Sequence, residues 1–338
     1  MLRNPFKRPV VPGRGAKSSF KVRAAAVAFA CLALAACIIG WYWSREPAAE
    51  FVQMEGSQRN VVGYTTVDTL IQVAAWMLDK PGGYLSNDIA PPSVWLDNMP
   101  NFEFGVLVQC RDMARVLRND FSRSQSQSIE DADLAIADPA LNFSNDSWIL
   151  PTTESRYREA IEALQRFRGK ISDAGATDAQ FFARADNLRE WLAVVERRLG
   201  SLSQRLSASV GQARLNTDLA GDPSGAASTP RAAVVMVKTP WLELDNIFYE
   251  ARGTAWALLQ FLRAIQVDFN AVLEDKNAVV SIGQIVRELE SALAPVSSPI
   301  ILNGRGFGFF ANHSLVLASY LSRAHSAIID VRELLEQG

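Results

Sequence analysis

Residues 181–206 read FFARADNLREWLAVVERRLGSLSQRL, and their apolar side chains recur in alternating steps of four and three. This alternation returns an apolar side chain to the same helix face every 3.5 residues, which is the pattern of a heptad seam. The stretch therefore predicts a long helix with one apolar stripe that another helix must cover. The residues of this first seam are Phe181, Ala185, Leu188, Leu192, Val195, Leu199, Leu202 and Leu206.

A second seam with the same alternation lies between Leu244 and Val272. The glycine- and proline-containing segment between the seams, Gly221–Gly225, predicts a flexible break at about 219–232 that can reverse the chain. Two helices joined in this way can cover each other as an antiparallel hairpin, although the seams can also pair between two copies of the chain. Because no long stretch alternates with period two, we predict an all-α fold. Its architecture is an elongated helical bundle with long antiparallel heptad-patterned helices.

The N-terminal region predicts a membrane anchor with a defined orientation. Residues 22–43 carry a single charge, Arg23, and a helix of this length spans roughly 33 Å, enough for a hydrocarbon core of about 30 Å. Seven cations and no acid occur in the first 23 residues, and lysine and arginine favour the cytoplasmic side. We expect a cytoplasmic basic tail (1–21), a transmembrane helix (22–43), a tether (44–60) and a helical domain outside the cytoplasm (61–338).

A second interpretation of the anchor is a lipoprotein signal, because Leu34-Ala35-Ala36-Cys37 has the shape of a lipoprotein processing site. Cys37 would then become the lipidated first residue. The residues after Cys37 stay apolar as far as Trp41, which favours an uncleaved span. The sequence leaves both interpretations open.

Composition limits the partners that the outer part of the chain can have. The chain has a net charge of −2 and the first 23 residues hold seven cations, so the remainder carries −9. An acidic surface repels phosphate backbones, and we therefore expect no nucleic-acid partner. Of the three cysteines only Cys110 lies beyond the anchor, so it has no intramolecular disulfide partner there. Its position on an apolar helical stripe predicts a buried, inert thiol.

The sequence contains no recognisable catalytic or metal-binding set. The two histidines, His313 and His325, are twelve residues apart and point in directions that differ by about 120° on a helix, so they cannot share a metal ion. Asp131, Asp133 and Asp138 lack the glycine and glutamate of a calcium loop. We therefore expect no catalytic residue, no cofactor and no metal ion.

The best candidates for recognition lie in two connections. Residues 82–101 place Tyr84, Asn87 and Trp95 on irregular, proline-rich chain, a mixture suited to partner contact. Asn303 and Arg305 precede the last helix, where His313 lies on the apolar stripe. Structural roles compete with these: the aromatic residues can cap the end of the bundle, and His313 can be a hydrogen-bonded core histidine.

Four short segments resemble a known family: KPGGYLSND at 80–88, PNFEFG at 100–105, ILNG at 301–304 and ANHSL at 311–315. They resemble an uncharacterised bacterial envelope family, domain of unknown function 2333, over most of the chain from about Gly63 and including the single N-terminal span. The resemblance implies an inner-membrane protein that faces the periplasm of a Gram-negative bacterium. It brings no activity and no catalytic residues.

These observations together predict a non-enzymatic periplasmic module, anchored in the inner membrane, that presents loops and a heptad surface to another envelope protein or to a second copy of itself. An alternative is a ligand-binding or sensory domain with a pocket between helices near Tyr84, Trp95 and His313. A third hypothesis is an envelope hydrolase, for which carboxylates such as Asp88, Asp97 and Glu103 would have to converge.

Overall fold

A computed structural model describes residues 15–50, 61–123, 130–173, 179–215, 234–298, 300–305 and 308–337. These residues form ten α-helices and one two-stranded sheet, so the predicted all-α fold with an apolar N-terminal helix is confirmed. The predicted break at about 219–232 lies outside the described residues, as do most of the predicted tail and residues 51–60 of the predicted tether. The helices are α1 (Gly15–Trp43), α2 (Tyr64–Asp79), α3 (Asn98–Val116), α4 (Ala132–Leu141), α5 (Thr153–Ser172), α6 (Ala185–Ser207), α7 (Leu244–Asp268), α8 (Asn270–Asp275), α9 (Val279–Ala292) and α10 (His313–Glu336).

The sheet is a small hairpin between α6 and α7. Strands β1 (Gln212–Leu215) and β2 (Val234–Val237) pair antiparallel, with Gln212 opposite Val237. The second strand lies in an apolar, β-branched run that is too short for periodicity alone to distinguish a strand from a helix.

Helix α7 lies at the centre of the bundle. Every side chain from Ala251 to Ile265 except that of Arg263 is buried, and α7 contacts α2, α3 and α9 on different sides. A helix that is buried around its whole circumference must be covered by several neighbours rather than by one. The second seam therefore marks only one of the faces that α7 buries.

Helices α3 and α7 run parallel to each other. At one end, Asp97 lines a cavity together with Asp245 and Tyr249 from the start of α7. At the other end, Phe121 packs on Phe269 with ring centroids 5.2 Å apart. The chain between the two helices must therefore return along the bundle before α7 begins.

Two glycines let α3 and α7 approach until their backbones touch. A Cβ atom on Gly105 would overlap the carbonyl oxygen of Glu250, and one on Gly253 would overlap the carbonyl oxygen of Phe102. Close approach of this kind is possible only where a side chain is missing. The crossing of the two helices is thus specified by glycine on both sides.

The predicted hairpin between the two seam helices is wrong. The apolar stripe of α6 packs mainly against α10, whereas α7 packs mainly against α3. Helices α6 and α10 are antiparallel, since Glu196 pairs with Arg332 and Ser203 Oγ donates to the Ala318 carbonyl at 3.2 Å. The physical reason is that a heptad seam shows that a helix has a stripe to bury but does not identify the helix that covers it.

Four connections lie at one end of the bundle, which we call the loop end. The Tyr84 hydroxyl donates to the Asn145 carbonyl at 3.2 Å, which joins two of them. Asn98, Trp241 and Ile300 line one cavity, which joins the others. The connections of the loop end are residues 80–97, 142–152, 238–243 and the described residues between 293 and 312.

The opposite end is closed by buried aromatic and polar contacts. Phe121, Phe181 and Phe269 form a cluster with centroid separations of 5.2 to 5.8 Å. Beside it, Asp268 Oδ2 accepts hydrogen bonds from the backbone N–H and the hydroxyl of Thr66, both at 2.6 Å. Burial raises the pKa of Asp268, and the bonds from Thr66 oppose that rise.

Candidate functional site

Helix α1 contains one stretch, Val22–Trp43, that is long and apolar enough to cross a membrane. The stretch has 22 residues with a mean hydropathy of 2.4, and Gly40 near its end is its one buried residue. The predicted apolar helix at 22–43 is therefore confirmed. A signal sequence near an N-terminus has the same length and composition, so α1 alone does not decide between an anchor and a signal.

The end of α1 contacts the loop end of the bundle. A Cβ atom on Gly40 would lie 3.3 Å from Leu96 Cδ2 and 3.8 Å from Pro92 Cβ. Three residues later, the ring of Trp43 packs over Gly82. The last turn of α1 therefore lies against the connection between α2 and α3.

Residues after α1 are held by a buried arginine of α7. The Arg252 guanidinium is only 4% exposed and donates from Nε and Nη2 to the Glu46 carboxylate, with the shortest distance 2.6 Å. Its remaining donors reach the carbonyls of Ala292, Leu293 and Ala294 at 3.0 to 3.3 Å. Arg252 thus joins Glu46 to the C-terminal carbonyls of α9, which have no partner within their own helix.

Three further side chains of α7 bind the same segment. Trp256 Nε1 donates to the Ala48 carbonyl at 2.9 Å, and Gln260 Nε2 and Arg263 Nη1 both donate to the Ala49 carbonyl at 2.9 Å. We call these three residues with Arg252 the α7 polar stripe. Its members are spaced by four, four and three residues, so they lie on one face of the helix.

The polar stripe is the part of the site that sequence reasoning missed. Residues 44–50 form the first part of the predicted tether, and the structure places them along α7. The available signal was the helical spacing of Arg252, Trp256, Gln260 and Arg263 beside the apolar seam. That spacing indicates a polar face within a buried helix, but it does not identify a partner about 200 residues earlier.

A buried ion pair fixes the first connection of the loop end. Lys80 Nζ lies 2.8 Å from Glu103 Oε1, and both side chains are almost completely buried. The Glu103 carboxylate also accepts from the backbone N–H groups of Leu85 and Ser86 and from the Ser86 hydroxyl at 2.6 Å. Burial raises the pKa of Glu103, while Lys80 and these donors oppose the rise. This network holds residues 80–86 against α3.

Tyr84 and Asn87, which the sequence places in a recognition loop, are both buried. The Tyr84 ring packs edge-on against Tyr157 with centroids 5.7 Å apart, and burial raises the pKa of its hydroxyl. Asn87 Nδ2 donates to the Ser147 carbonyl at 3.0 Å and to Glu154 Oε2 at 2.9 Å. Both side chains tie two connections together and support the alternative in which the loop caps the bundle.

Trp95 differs from these two residues because its side chain is 66% exposed. It lies next to Leu96, which contacts α1. The exposed aromatic side chains of the described residues outside α1 all lie in the four connections of the loop end. They are Trp95, Trp148, Trp241, Phe309 and Phe310.

Asn303 and His313 lie together at the start of α10. Asn303 Nδ2 donates to the Ser209 carbonyl at 2.9 Å, which ties the last connection to the end of α6. His313 Nδ1 accepts from the Leu302 N–H at 3.1 Å, as a hydrogen-bonded structural histidine does. Arg305, between them in sequence, is exposed.

His313 also lines a cavity of about 240 Å³ with Phe248, Arg252 and Tyr320. Tyr84 and Trp95 are not among the residues that line it, so the structure does not bring together the three residues of the predicted pocket. Nor do the proposed hydrolase carboxylates converge. Glu103 is buried against Lys80, whereas Asp88 and Asp97 are exposed.

Cys110 is fully buried, as the sequence predicts. Burial raises the pKa of its thiol, which disfavours the nucleophilic thiolate form.

A polar groove of about 680 Å³ runs between α3 and α6. Four arginines line it, and two of them form bidentate pairs: Arg198 with Asp112 at 2.8 and 3.0 Å, and Arg205 with Glu250 at 2.7 and 2.6 Å. Gln109 also lines the groove, is 2% exposed, and has no hydrogen-bond partner for its Nε2 among the described residues. The other two arginines are Arg115 and Arg197.

Residues 16–338 match the model of a family described as an uncharacterized protein conserved in bacteria, DUF2333. The chain belongs to this family. The match confirms the resemblance carried by the segments at 80–88, 100–105, 301–304 and 311–315. The segments at 80–88 and 301–304 lie in the connections that contain Lys80 and Asn303, and the segment at 100–105 contains Glu103 on α3. The family resemblance therefore falls on residues that hold the loop end together. Searches of the curated proteins and of the solved structures each found no match.

Proposed function

We propose that this DUF2333 protein is a single-pass inner-membrane protein whose N-terminus is cytoplasmic and whose helical domain lies in the periplasm, directly at the membrane surface. The domain serves as an interaction or scaffold module for another envelope protein or for a second copy of the chain. The seven cations of the first 23 residues and the Trp41-Tyr42-Trp43 cluster support this orientation.

The single observation that carries the proposal is the contact of the α7 polar stripe with residues 46–49. Because these contacts begin three residues after α1 ends, little free chain separates the anchor from the domain. A short, fixed junction sets the height and orientation of the domain relative to the bilayer. A scaffold that docks to a neighbouring membrane protein needs such a fixed geometry.

The contacts of α1 itself favour a retained helix over a cleaved signal. Gly40 and Trp43 pack on Leu96 and Gly82, so cleavage before the domain would uncover apolar surface at the loop end. The lipoprotein alternative would keep these residues, since Cys37 lies before Gly40. Replacing Cys37 with Ser separates the two cases: unchanged electrophoretic mobility and membrane retention exclude lipidation.

Location is tested with the full chain expressed in a Gram-negative host. We expect the chain to stay in membranes washed with alkaline carbonate, and a C-terminal alkaline phosphatase fusion to be active. Recovery of a shortened chain in the soluble periplasm would show that α1 is a signal. An inactive phosphatase fusion together with a fluorescent C-terminal GFP fusion would reverse the orientation.

The scaffold role is tested by crosslinking in intact cells through a C-terminal tag, with residues 1–43 fused to the same tag as the control. We expect a stoichiometric envelope protein, or a dimer of the chain, that the control does not capture. The Glu46→Gln variant keeps the span but loosens the junction, and it should capture less of the same partner. A chain that stays monomeric and captures nothing above the control would contradict the scaffold role.

A second candidate function is binding of an anionic small molecule in the groove between α3 and α6. The unpartnered Gln109 amide and the arginine excess favour it, because the groove is within the size range of ligand pockets and offers donors without enough acceptors. Arg197 is the arginine to test, since it forms no ion pair within the part of the chain that the structure describes.

The ligand hypothesis is tested by the thermal shift of the full chain in detergent with inorganic phosphate and with citrate. We expect a rise in Tm that Arg197→Gln removes and Arg287→Gln, on the exposed face of α9, keeps. Flat melting curves with both anions, or equal loss of the shift in both variants, would argue against a specific site.

A further inference from the structure

The loop end exposes far more apolar side-chain surface than a bundle end in water requires. Within the part of it that the structure describes, five aromatic and several aliphatic side chains are exposed, including Leu150 at 92%, Leu242 at 74% and Phe309 at 97% exposure. Large exposed apolar patches mark contact with another molecule or with a membrane. Among the described residues of the four connections, the exposed apolar ones are Ile89, Val94, Trp95, Trp148, Ile149, Leu150, Trp241, Leu242, Ile300, Phe309 and Phe310.

These side chains are contiguous with the end of the apolar helix. Gly40, which faces Leu96 and Pro92, precedes the end of α1 by three residues, or about 4.5 Å along the helix axis. The connection that carries Val94 and Trp95 therefore lies level with the last turn of α1. The aromatic cluster Trp41-Tyr42-Trp43 lies in this same turn.

The other connections lie beside this one. Asn145 and Ser147 accept hydrogen bonds from Tyr84 and Asn87, which brings the Trp148-Ile149-Leu150 tip next to residues 80–97. Trp241, Leu242 and Ile300 surround a cavity with Asp97 and Asn98, directly after the Trp95–Leu96 segment. These tips thus lie at the end of the bundle into which α1 runs, and Phe309 and Phe310 belong to the same connection as Ile300.

We propose that the loop end is a second membrane contact: its aromatic and aliphatic tips insert into the headgroup region of the leaflet in which α1 ends. The occupant is the lipid surface, because an anchor helix in a bilayer forces whatever touches its last turn to the depth of the headgroups. The inference rests on the proposed function, since it requires α1 to lie in a membrane.

The chemistry of the tips matches this depth. Tryptophan combines an apolar ring with an N–H donor and is enriched where hydrocarbon meets headgroups. The tips Trp148-Ile149-Leu150-Pro151, Pro240-Trp241-Leu242 and Phe309-Phe310 contain no charged residue. The polar backbone of these connections can meanwhile be hydrated by the headgroup region, whereas it could not enter the hydrocarbon core.

The experiment uses the full chain in liposomes of phosphatidylethanolamine and phosphatidylglycerol. Cys31 and Cys37 are replaced with Ala, and buried Cys110 is kept. An environment-sensitive NBD fluorophore is attached at Leu150→Cys or Leu242→Cys, both at the loop end. The matched control is Val280→Cys, which is 76% exposed but lies in the first turn of α9, at the opposite end.

We expect a blue-shifted emission that is quenched by brominated lipids at positions 150 and 242, and an aqueous, unquenched emission at position 280. Aqueous emission at all three positions in a chain that stays in the liposomes would overturn the second contact while the anchor stands. Release of the chain from the liposomes would overturn the anchor itself. Blue-shifted labels that brominated lipids do not quench, and that crosslink between copies, would show that a second copy covers the loop end.

Discussion

The end of the bundle that contains Phe121, Phe181 and Phe269, which we call the opposite end, packs its aromatic side chains inside the protein, whereas the loop end exposes them. At the opposite end, Phe121 and Phe269 are completely buried and pack with Phe181. At the loop end, tryptophan and phenylalanine side chains point outward, while the chain beneath them is fixed by buried polar groups such as Lys80 and Glu103. The difference indicates that one end closes the fold, and it supports our proposal that the other end contacts a membrane surface.

The largest expected loss of stability comes from removing an aromatic side chain at the opposite end. Phe269→Ala removes a ring from the aromatic cluster and should reduce the free energy of unfolding by about 3–5 kcal/mol. Leu150→Ser at the loop end should change it by no more than about 0.5 kcal/mol, because that side chain has almost no contacts inside the protein. Thermal unfolding of the full chain in detergent, followed by circular dichroism, compares the two variants. Equal destabilisation would remove the distinction between the ends.

The next largest expected loss of stability is at the crossing of α3 and α7, where Gly105 and Gly253 let the two backbones touch. Gly253→Ala places a methyl group on the Phe102 carbonyl, so α3 and α7 must separate, with an expected cost of about 1–3 kcal/mol. Gly283→Ala is the matched control, because a Cβ atom there meets nothing within 4 Å. It should stabilise its helix by up to about 1 kcal/mol. The midpoints of urea unfolding should therefore move in opposite directions, and a shift to higher urea in both variants would show that the helices can separate freely.

The helices of this fold are predictable from the sequence, but their pairing is not. Seams such as Leu188–Leu206 fix where a helix runs and which side it buries. The apolar stripe of α6 packs mainly against α10, which begins more than 100 residues later in the chain. Apolar periodicity also does not predict the contact between α3 and α7. That contact depends on Gly105 and Gly253, whose lack of a side chain lets the two backbones touch.

The candidate site was harder to predict for a related reason. Tyr84 and Asn87 have the composition of a recognition loop, yet their partners are backbone carbonyls about 60 residues away, at Asn145 and Ser147. Trp95 lies in the same predicted recognition loop, and its side chain is exposed. Only the fold decides which of these side chains turns inward, because each choice depends on contacts between separate connections.

The junction between α1 and the domain should respond to the loss of a single charge. Glu46→Gln removes the negative charge opposite the buried Arg252 guanidinium, and we expect a loss of about 1–3 kcal/mol. Amide hydrogen exchange should also become faster in residues 44–50. Glu288→Gln, which weakens the half-exposed pair with Arg323, should cost about 0–1 kcal/mol and leave that exchange unchanged. Slow exchange in the Glu46 variant would show that the hydrogen bonds from the side chains of Trp256, Gln260 and Arg263 to backbone carbonyls are enough to hold residues 44–50.

The smallest expected effect is a difference in pH response between two lysine–carboxylate pairs, one at each end. Toward the opposite end, burial raises the pKa of Asp133, but hydrogen bonds from Lys170 and Arg166 together lower it below its usual value. An aspartate whose native pKa is lowered stabilises the fold above its unfolded pKa of about 4, and the contribution is lost as the pH falls through the native pKa. At the loop end burial raises the pKa of Glu103, so protonation of Glu103 does not add to this loss of stability in acid.

Asp133→Asn should therefore flatten the fall of Tm below about pH 4, with a change in the free energy of unfolding of less than about 1 kcal/mol. Glu103→Gln should leave the slope of Tm against pH unchanged. An unchanged slope in Asp133→Asn would mean that other carboxylates control the acid limb, and that the two ends do not differ in their response to pH.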